Sequence, residues 1–312
     1  AALLAGPGWA PDPGRILFAG GGRQAIAGAV AALVPPGGRL GVEALTYPVL
    51  KGIAARLGVT LVPLAMDEDG VRPDAIATAH RTVPLAAVYL QPTLQNPVTT
   101  TMPARRRTEL ARLLGELDLG AIEDGVWRFL DDGHPPLAAL APEHVVHVDG
   151  MSKRVAPGLN LGFVVPPAGR VGTVAGALRS GSWLAARFPM EAATRWVTDG
   201  TVARLQLAKR GDAAARQRVV AERLAGFRVR ADPHGYSCWW ELPSQWRADA
   251  FASTVARRGI AIVPAAGFAV GTDRPPNAVR LALATPPIDT LHAALAVLAD
   301  TARADPAEHV TE

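Results

Sequence analysis

Lys153 lies in Asp149-Gly150-Met151-Ser152-Lys153-Arg154-Val155-Ala156-Pro157-Gly158, between the apolar runs 145–148 and 161–165. Polar connections held by rigid strands are where catalytic side chains are commonly placed. Lys153 therefore reads as a candidate reactive amine, although a solvated loop lysine has the same local signature. Asp124 closes the short run Ala121-Ile122-Glu123-Asp124. A carboxylate just past a strand is a candidate site residue, or half of an ion pair with Arg128. Ala19-Gly20-Gly21-Gly22-Arg23-Gln24 joins a strand candidate to the helical spacing of Ile26, Val30 and Leu33. The first-turn N–H groups of such a helix have no intrahelical partner and form an anion cradle; a plain turn fits equally well. The segment matches neither the dinucleotide glycine pattern nor a Walker loop. Tyr47, in Thr46-Tyr47-Pro48, is a turn aromatic or a flat ring for a planar cofactor. Asn96 follows the apolar run 85–90.

These residues share a context. Through about residue 165 the chain alternates strand and helix patterns, with strand candidates at 15–18, 39–43, 59–64, 85–90, 121–124, 145–148 and 161–165. That alternation predicts an α/β fold, a mostly parallel sheet with helices on both faces. Ligands of such sheets bind beyond the carboxyl ends of the strands. The 19–24 turn, Asn96, Asp124 and Lys153 all follow strand candidates, so they fall on one edge. Arg105-Arg106-Arg107, in the helix that Pro103 begins, reads as a solvated face. Residues 170–226 read as helical, broken at Gly181-Ser182, Pro189, Gly200 and Gly211. From Phe227 short strands (227–230, 237–242, 260–263, 278–283) mix with helices near 248–258 and 289–300, which predicts a smaller C-terminal α+β domain. The expected division is 1–220 and 221–312.

Composition narrows the function classes. Of 312 residues 49% are hydrophobic and 5% aromatic, and the net charge of +4 is too small and dispersed to suggest a nucleic-acid surface. The single cysteine, Cys238, forms no intrachain disulfide and anchors no metal cluster. No apolar run reaches the ~18 residues of a membrane-spanning helix, and no basic signal region opens the chain. A cytoplasmic protein with no metal and no membrane association is expected. The chain starts at Ala1 rather than Met and is expected to be truncated at its N-terminus.

Four motifs, Met151-Ser152-Lys153, Ala156-Pro157-Gly158-Leu159, Gln95-Asn96-Pro97 and Val279-Arg280-Leu281, carry a resemblance over nearly the whole chain. It resembles the fold-type I pyridoxal 5′-phosphate-dependent aminotransferases of class I/II. Within them it is most similar to the aminotransferase-like domain of MocR/GntR-type transcriptional regulators. The resemblance implies pyridoxal 5′-phosphate as cofactor, with Lys153 as the Schiff-base lysine and proton carrier and Asp124 paired with the pyridine nitrogen. It implies Asn96 at the phenolic oxygen, Tyr47 stacked on the ring, and Gly21, Gly22, Arg23 and Ser152 around the phosphate. Arg280 is implied as the fork that holds a substrate carboxylate.

Two positions depart from the family pattern. Trp127 stands where a tyrosine is usual, keeping an N–H donor at the cofactor. Asn160 replaces the usual phosphate-binding arginine, leaving Arg154 or another subunit to compensate. The implied activity is transfer of an amino group from an amino acid, or a related small amine, to a 2-oxo acid. The alternative is an effector-sensing and dimerisation domain of a regulator. The resemblance further implies a homodimer, with DNA contacted only through a winged-helix domain that these residues do not include.

Overall fold

The computed structural model describes residues 1–131 and 133–306; the last six residues of the expected C-terminal domain, 307–312, lie outside them. In chain order the elements are β1 (Leu17–Ala19), α1 (Gly22–Leu33), β2 (Arg39–Glu43), α2 (Pro48–Arg56), β3 (Thr60–Leu64), the hairpin β4 (Met66–Asp67) and β5 (Gly70–Val71), and α3 (Pro73–Thr82). They continue with β6 (Ala87–Leu90), α4 (Ala104–Glu116), β7 (Gly120–Asp124), α5 (Leu137–Leu140), β8 (Val145–Gly150), α6 (Met151–Arg154) and β9 (Gly162–Val165). The remainder is α7 (Val171–Ser180), α8 (Arg187–Thr198), α9 (Thr201–Arg223), β10 (Arg228–Ala231), β11 (Ser237–Glu241), α10 (Ala248–Arg257), β12 (Val263–Pro264), β13 (Ala278–Ala282) and α11 (Ile288–Arg303).

Seven strands form the main sheet in the order β1-β9-β8-β7-β6-β2-β3. The β8–β7–β6–β2–β3 pairings are parallel. β9 runs antiparallel to both β8 and β1. Residues 151–161 are too few for a crossover, so the chain returns antiparallel after β8. β1, reversed again, ends at Ala19 on the same edge as β2, β6, β7 and β8. Alternation along the strands feeds two cores. Ala87, Tyr89 and Ile122 pack with α1, α2 and α7 on one face. Val88, Leu90 and Ala121 pack with α3, α4 and α5 on the other. A second sheet, β10-β11-β13-β12, is antiparallel and packs Cys238, Trp240, Val279 and Leu281 against α9, α10 and α11. Residues 220 and 221, the expected division, lie inside α9, whose Val219 and Val220 belong to this second core.

Several local expectations are corrected. α9 runs straight through Gly211, because the helix packs along its length and one exposed glycine costs only about 1 kcal/mol. Pro189 lies in the first turn of α8, where its missing N–H loses nothing. The 260–263 strand shrinks to Val263–Pro264, which pairs antiparallel with Arg280 and Val279 of β13. Arg105 is exposed, but Arg106 and Arg107 are buried rather than solvated. Arg107 donates to the carbonyls of Met102 (2.9 Å), Pro92 (2.8 Å) and Pro135 (3.2 Å) and to Thr93 Oγ1 (2.9 Å), clamping the loop that carries Asn96.

Candidate active site

The parallel strands of the main sheet end on one cavity of about 670 Å3. Gly21, Gly22 and Arg23 reach it from the β1–α1 turn, Tyr47 from the start of α2, and Asn96 from the loop after β6. Asp124 and Trp127 follow β7, and Ser152, Lys153 and Asn160 come from the stretch after β8. Arg280 arrives from β13 of the second sheet. Every site residue implied by the resemblance therefore lines the same space, Arg154 excepted. None of the described residues forms a cluster of three or more His, Cys, Asp or Glu side chains suited to a metal ion.

Asp124 is buried at the floor. Its Oδ2 accepts from Tyr89 Oη at 2.6 Å and Gln91 Nε2 at 3.0 Å, and its Oδ1 accepts from Val126 N at 3.1 Å. Burial raises its pKa, the three donors lower it, and the Asp149 charge raises it. Asp124 and Arg128 do not pair with each other: Arg128 is buried, donates to Leu4 O at 3.1 Å and lies 5.6 Å from the Trp9 ring centroid. Asn96 Oδ1 and Arg280 Nε are both buried without a hydrogen-bond partner. Unpartnered polar atoms at a cavity wall are places for a polar ligand.

Lys153 sits on the single helical turn α6 rather than in an irregular loop. Its side chain is exposed to the open cavity, with Nζ 5.2 Å from the Trp127 ring centroid. The surrounding walls desolvate the amine, and Arg280 and Arg23 repel its charge, so its pKa is lowered. That favours the neutral, nucleophilic form. Lys209 of α9 donates to Lys153 O at 2.9 Å and ties the turn down.

At the opposite end, Gly21 carries φ 143°, a backbone that other residues rarely adopt, and a Cβ there would stand 3.1 Å from Gln24 Oε1. It caps α1, so the N–H groups of Gly22 and Arg23 open toward the cavity. Arg154 does not compensate for Asn160. It is buried, paired with Asp149 and stacked 5.3 Å from the Phe129 ring centroid. Arg23 is instead the exposed guanidinium at this end of the cavity.

Residues 1–298 match the family "Aminotransferase class I and II". The chain belongs to that family. Enzymes of class I and II with this fold depend on pyridoxal 5′-phosphate. Among curated relatives, the uncharacterised HTH-type transcriptional regulator YdeF of Bacillus subtilis is 31% identical over 285 residues, covering 91% of this chain and 62% of its own length. The chain spans about three fifths of the length of three helix-turn-helix regulators that it matches. An archaeal alanine:glyoxylate aminotransferase superposes with TM-score 0.84 at 22% identity, over 93% of this chain and 75% of that one. LysN, the α-aminoadipate aminotransferase of Thermus thermophilus, superposes with TM-score 0.83 at 22% identity, over 93% and 77%. Its structure contains N-(5′-phosphopyridoxyl)-L-leucine. These superpositions establish the fold-type I architecture.

In this aminotransferase-family chain, sequence reading missed Tyr89, Gln91 and Glu43. Glu43 closes β2 as Asp124 closes β7, and that shared strand-end position was a legible signal. It is wholly buried, accepting from Gln91 N at 3.3 Å and Gln95 Nε2 at 3.0 Å. Burial pushes its pKa up to about 8. Tyr89 reads as one more apolar strand residue; only the pairing of β6 with β7 brings its hydroxyl to Asp124.

Proposed function

We propose that this chain binds pyridoxal 5′-phosphate in the strand-end cavity and acts on an amino acid, passing its amino group to a 2-oxo acid. One observation supports this above the rest: a desolvated lysine and a buried, donor-held aspartate line the same cavity as Asn96 and Arg280, both with unpartnered buried atoms. The residues fit the group. Lys153 offers an amine, Asp124 an acceptor for a ring N–H, and the start of α1 an anion cradle behind a glycine whose φ of 143° would strain a side chain.

When bound, the cofactor supplies an electron sink for charge developing at the substrate Cα. Lys153 Nζ would hold it covalently and move the proton at Cα, a role helped by its lowered pKa. Asp124 would keep the pyridine nitrogen protonated. Tyr47 would cover the ring, and Asn96 would bond the phenolic oxygen. Gly21, Gly22, Arg23 and Ser152 would bind the phosphate. Trp127 would offer an indole N–H where it walls the cavity. Arg280, desolvated on β13 and without a partner at Nε, would fork onto the substrate carboxylate.

The second reading is an amino-compound sensor within a longer regulator, and the matched helix-turn-helix proteins favour it. In that setting DNA binding belongs to residues outside this chain, and a homodimer is the expected assembly. Asn160 suits this reading, since a sensor tolerates weaker phosphate binding better than a fast enzyme does. Spectrophotometric titration with the cofactor, then single-turnover mixing with a panel of amino acids, tests both. Conversion to the amine form of the cofactor with release of a 2-oxo acid supports the enzyme. A spectral shift without 2-oxo acid supports the sensor. No cofactor uptake at saturation overturns both.

A further inference from the structure

We propose that Gln91 is a positioning residue of this site, joining the Asp124 carboxylate and the Asn96 main chain into one hydrogen-bonded unit anchored on Glu43. The functional consequence rests on the reading above; the geometry does not. The main-chain N–H and both side-chain polar atoms of Gln91 are committed. Its main-chain N–H donates to Glu43 Oε1 at 3.3 Å, its Nε2 donates to Asp124 Oδ2 at 3.0 Å, and its Oε1 accepts from Asn96 N at 3.2 Å. The amide has a single orientation that works. Reversed, it would aim an oxygen at a carboxylate and an N–H at an N–H.

The anchor is equally directional. Glu43 Oε2 accepts from Gln95 Nε2 at 3.0 Å, that same nitrogen donates to Leu45 O at 2.7 Å, and Gln95 Oε1 accepts from Val98 N at 3.0 Å. The loop between the two glutamines and Met102 bends sharply, with Leu94 and Thr99 at φ 49° and 62°. A loop in that conformation needs such tethers to present Asn96 at one height above Asp124. The carboxylate gains as well. Gln91 is one of two donors on Oδ2, and each donor offsets the burial that disfavours its charge. The titratable groups facing Asp124 are Tyr89 of β6, Glu43 of β2, Asp149 of β8 and Lys153 of α6.

Gln91→Glu isolates the Asp124 arm. It keeps the side-chain length and the acceptor for Asn96 N, but sets a second carboxyl against Asp124, so that the pair must share a proton in place of the fixed amide donor. Gln91→Leu removes both side-chain arms. Melting curves of the cofactor-free chains first establish folding. Pyridoxal 5′-phosphate affinity is then read by absorbance titration, and the Asp124 carboxyl is titrated by 13C NMR in the cofactor-free protein. Gln91→Glu is expected to weaken cofactor affinity by about tenfold or more and to raise the Asp124 titration midpoint. In an Asp124→Asn background the same change should cost little further. Native-like affinity in a folded Gln91→Glu chain overturns the proposal, as does a full penalty persisting without Asp124. If the native chain takes up no cofactor, the site reading falls. The NMR titration still decides the inference: an Asp124 midpoint unmoved in Gln91→Leu sinks it.

Discussion

The floor and the rim of the cavity are built differently. On the floor, Glu43, Tyr89, Gln91 and Asp124 are buried and their hydrogen bonds run from one strand end to the next. On the rim, Arg23, Lys153 and Asn160 are exposed and reach over the opening. A buried polar network is costly unless satisfied, and once satisfied it holds one geometry. Such a floor suits a planar ring whose edge atoms must meet fixed partners. An exposed cation such as Arg23 loses little by waiting in solvent, and it suits a phosphate or a carboxylate that brings its own charge. The difference fits the proposed roles: fixed, buried partners on the floor for a ring, and main-chain N–H groups with Arg23 at the rim for a phosphate.

The largest test of this contrast is Lys153→Ala. It should abolish the visible absorbance that the lysine-linked cofactor gives, and a band that survives would remove the rim's central residue from the scheme. Next is Asp124→Asn on the floor, expected to lower cofactor affinity by about 10- to 100-fold, the loss of one charge-assisted hydrogen bond. Equal affinity would mean that the floor does not meet the ring. Asn160→Arg should act oppositely. Restoring a guanidinium at the rim is expected to tighten binding by about tenfold at low salt, less at high salt; no gain in an equilibrium titration would show that Arg23 already fills the role.

A pH series of chemical denaturation probes the floor without cofactor. The Glu43 pKa is raised from 4.5 to about 8 in the folded chain. Its stabilising effect is thus fully present below the lower value and is lost as pH rises to the upper one. The slope is at most ~1.4 kcal/mol per pH unit, and Glu43→Gln should flatten it. A native slope that matches the variant's would contradict the protonated floor. The smallest effect is expected from Trp127→Tyr: a few-fold change in single-turnover rate, because both side chains keep a donor.

Much of the main sheet was legible, since period-two apolar runs, Pro-started helices and glycine stops are local signals. The seven strand candidates appear as strands, within a few residues at their ends. The strand-end rule likewise gathered the 19–24 turn, Asn96, Asp124 and Lys153 on one edge, because parallel strands point their carboxyl ends together. The arginines were read less well. Arg106 and Arg107 look like a solvated face in sequence and Arg154 like a substitute phosphate ligand, yet each is buried with partners supplied elsewhere in the fold. A long side chain's role depends on which carbonyls and carboxylates the fold carries to it, and no local pattern encodes that.

The sequence by itself determined the order of strands and helices, and with it which residue types stand at the strand ends, because backbone propensity and side-chain alternation act over a few residues. Tertiary structure alone decided that Tyr89 reaches Asp124, that Gln91 ties Asp124 to Asn96, and that Arg106, Arg107 and Arg154 are buried. Those contacts form between segments brought together by sheet register and core packing. Hydrogen bonds tolerate only tenths of an ångström, so their partners are chosen after the fold is made.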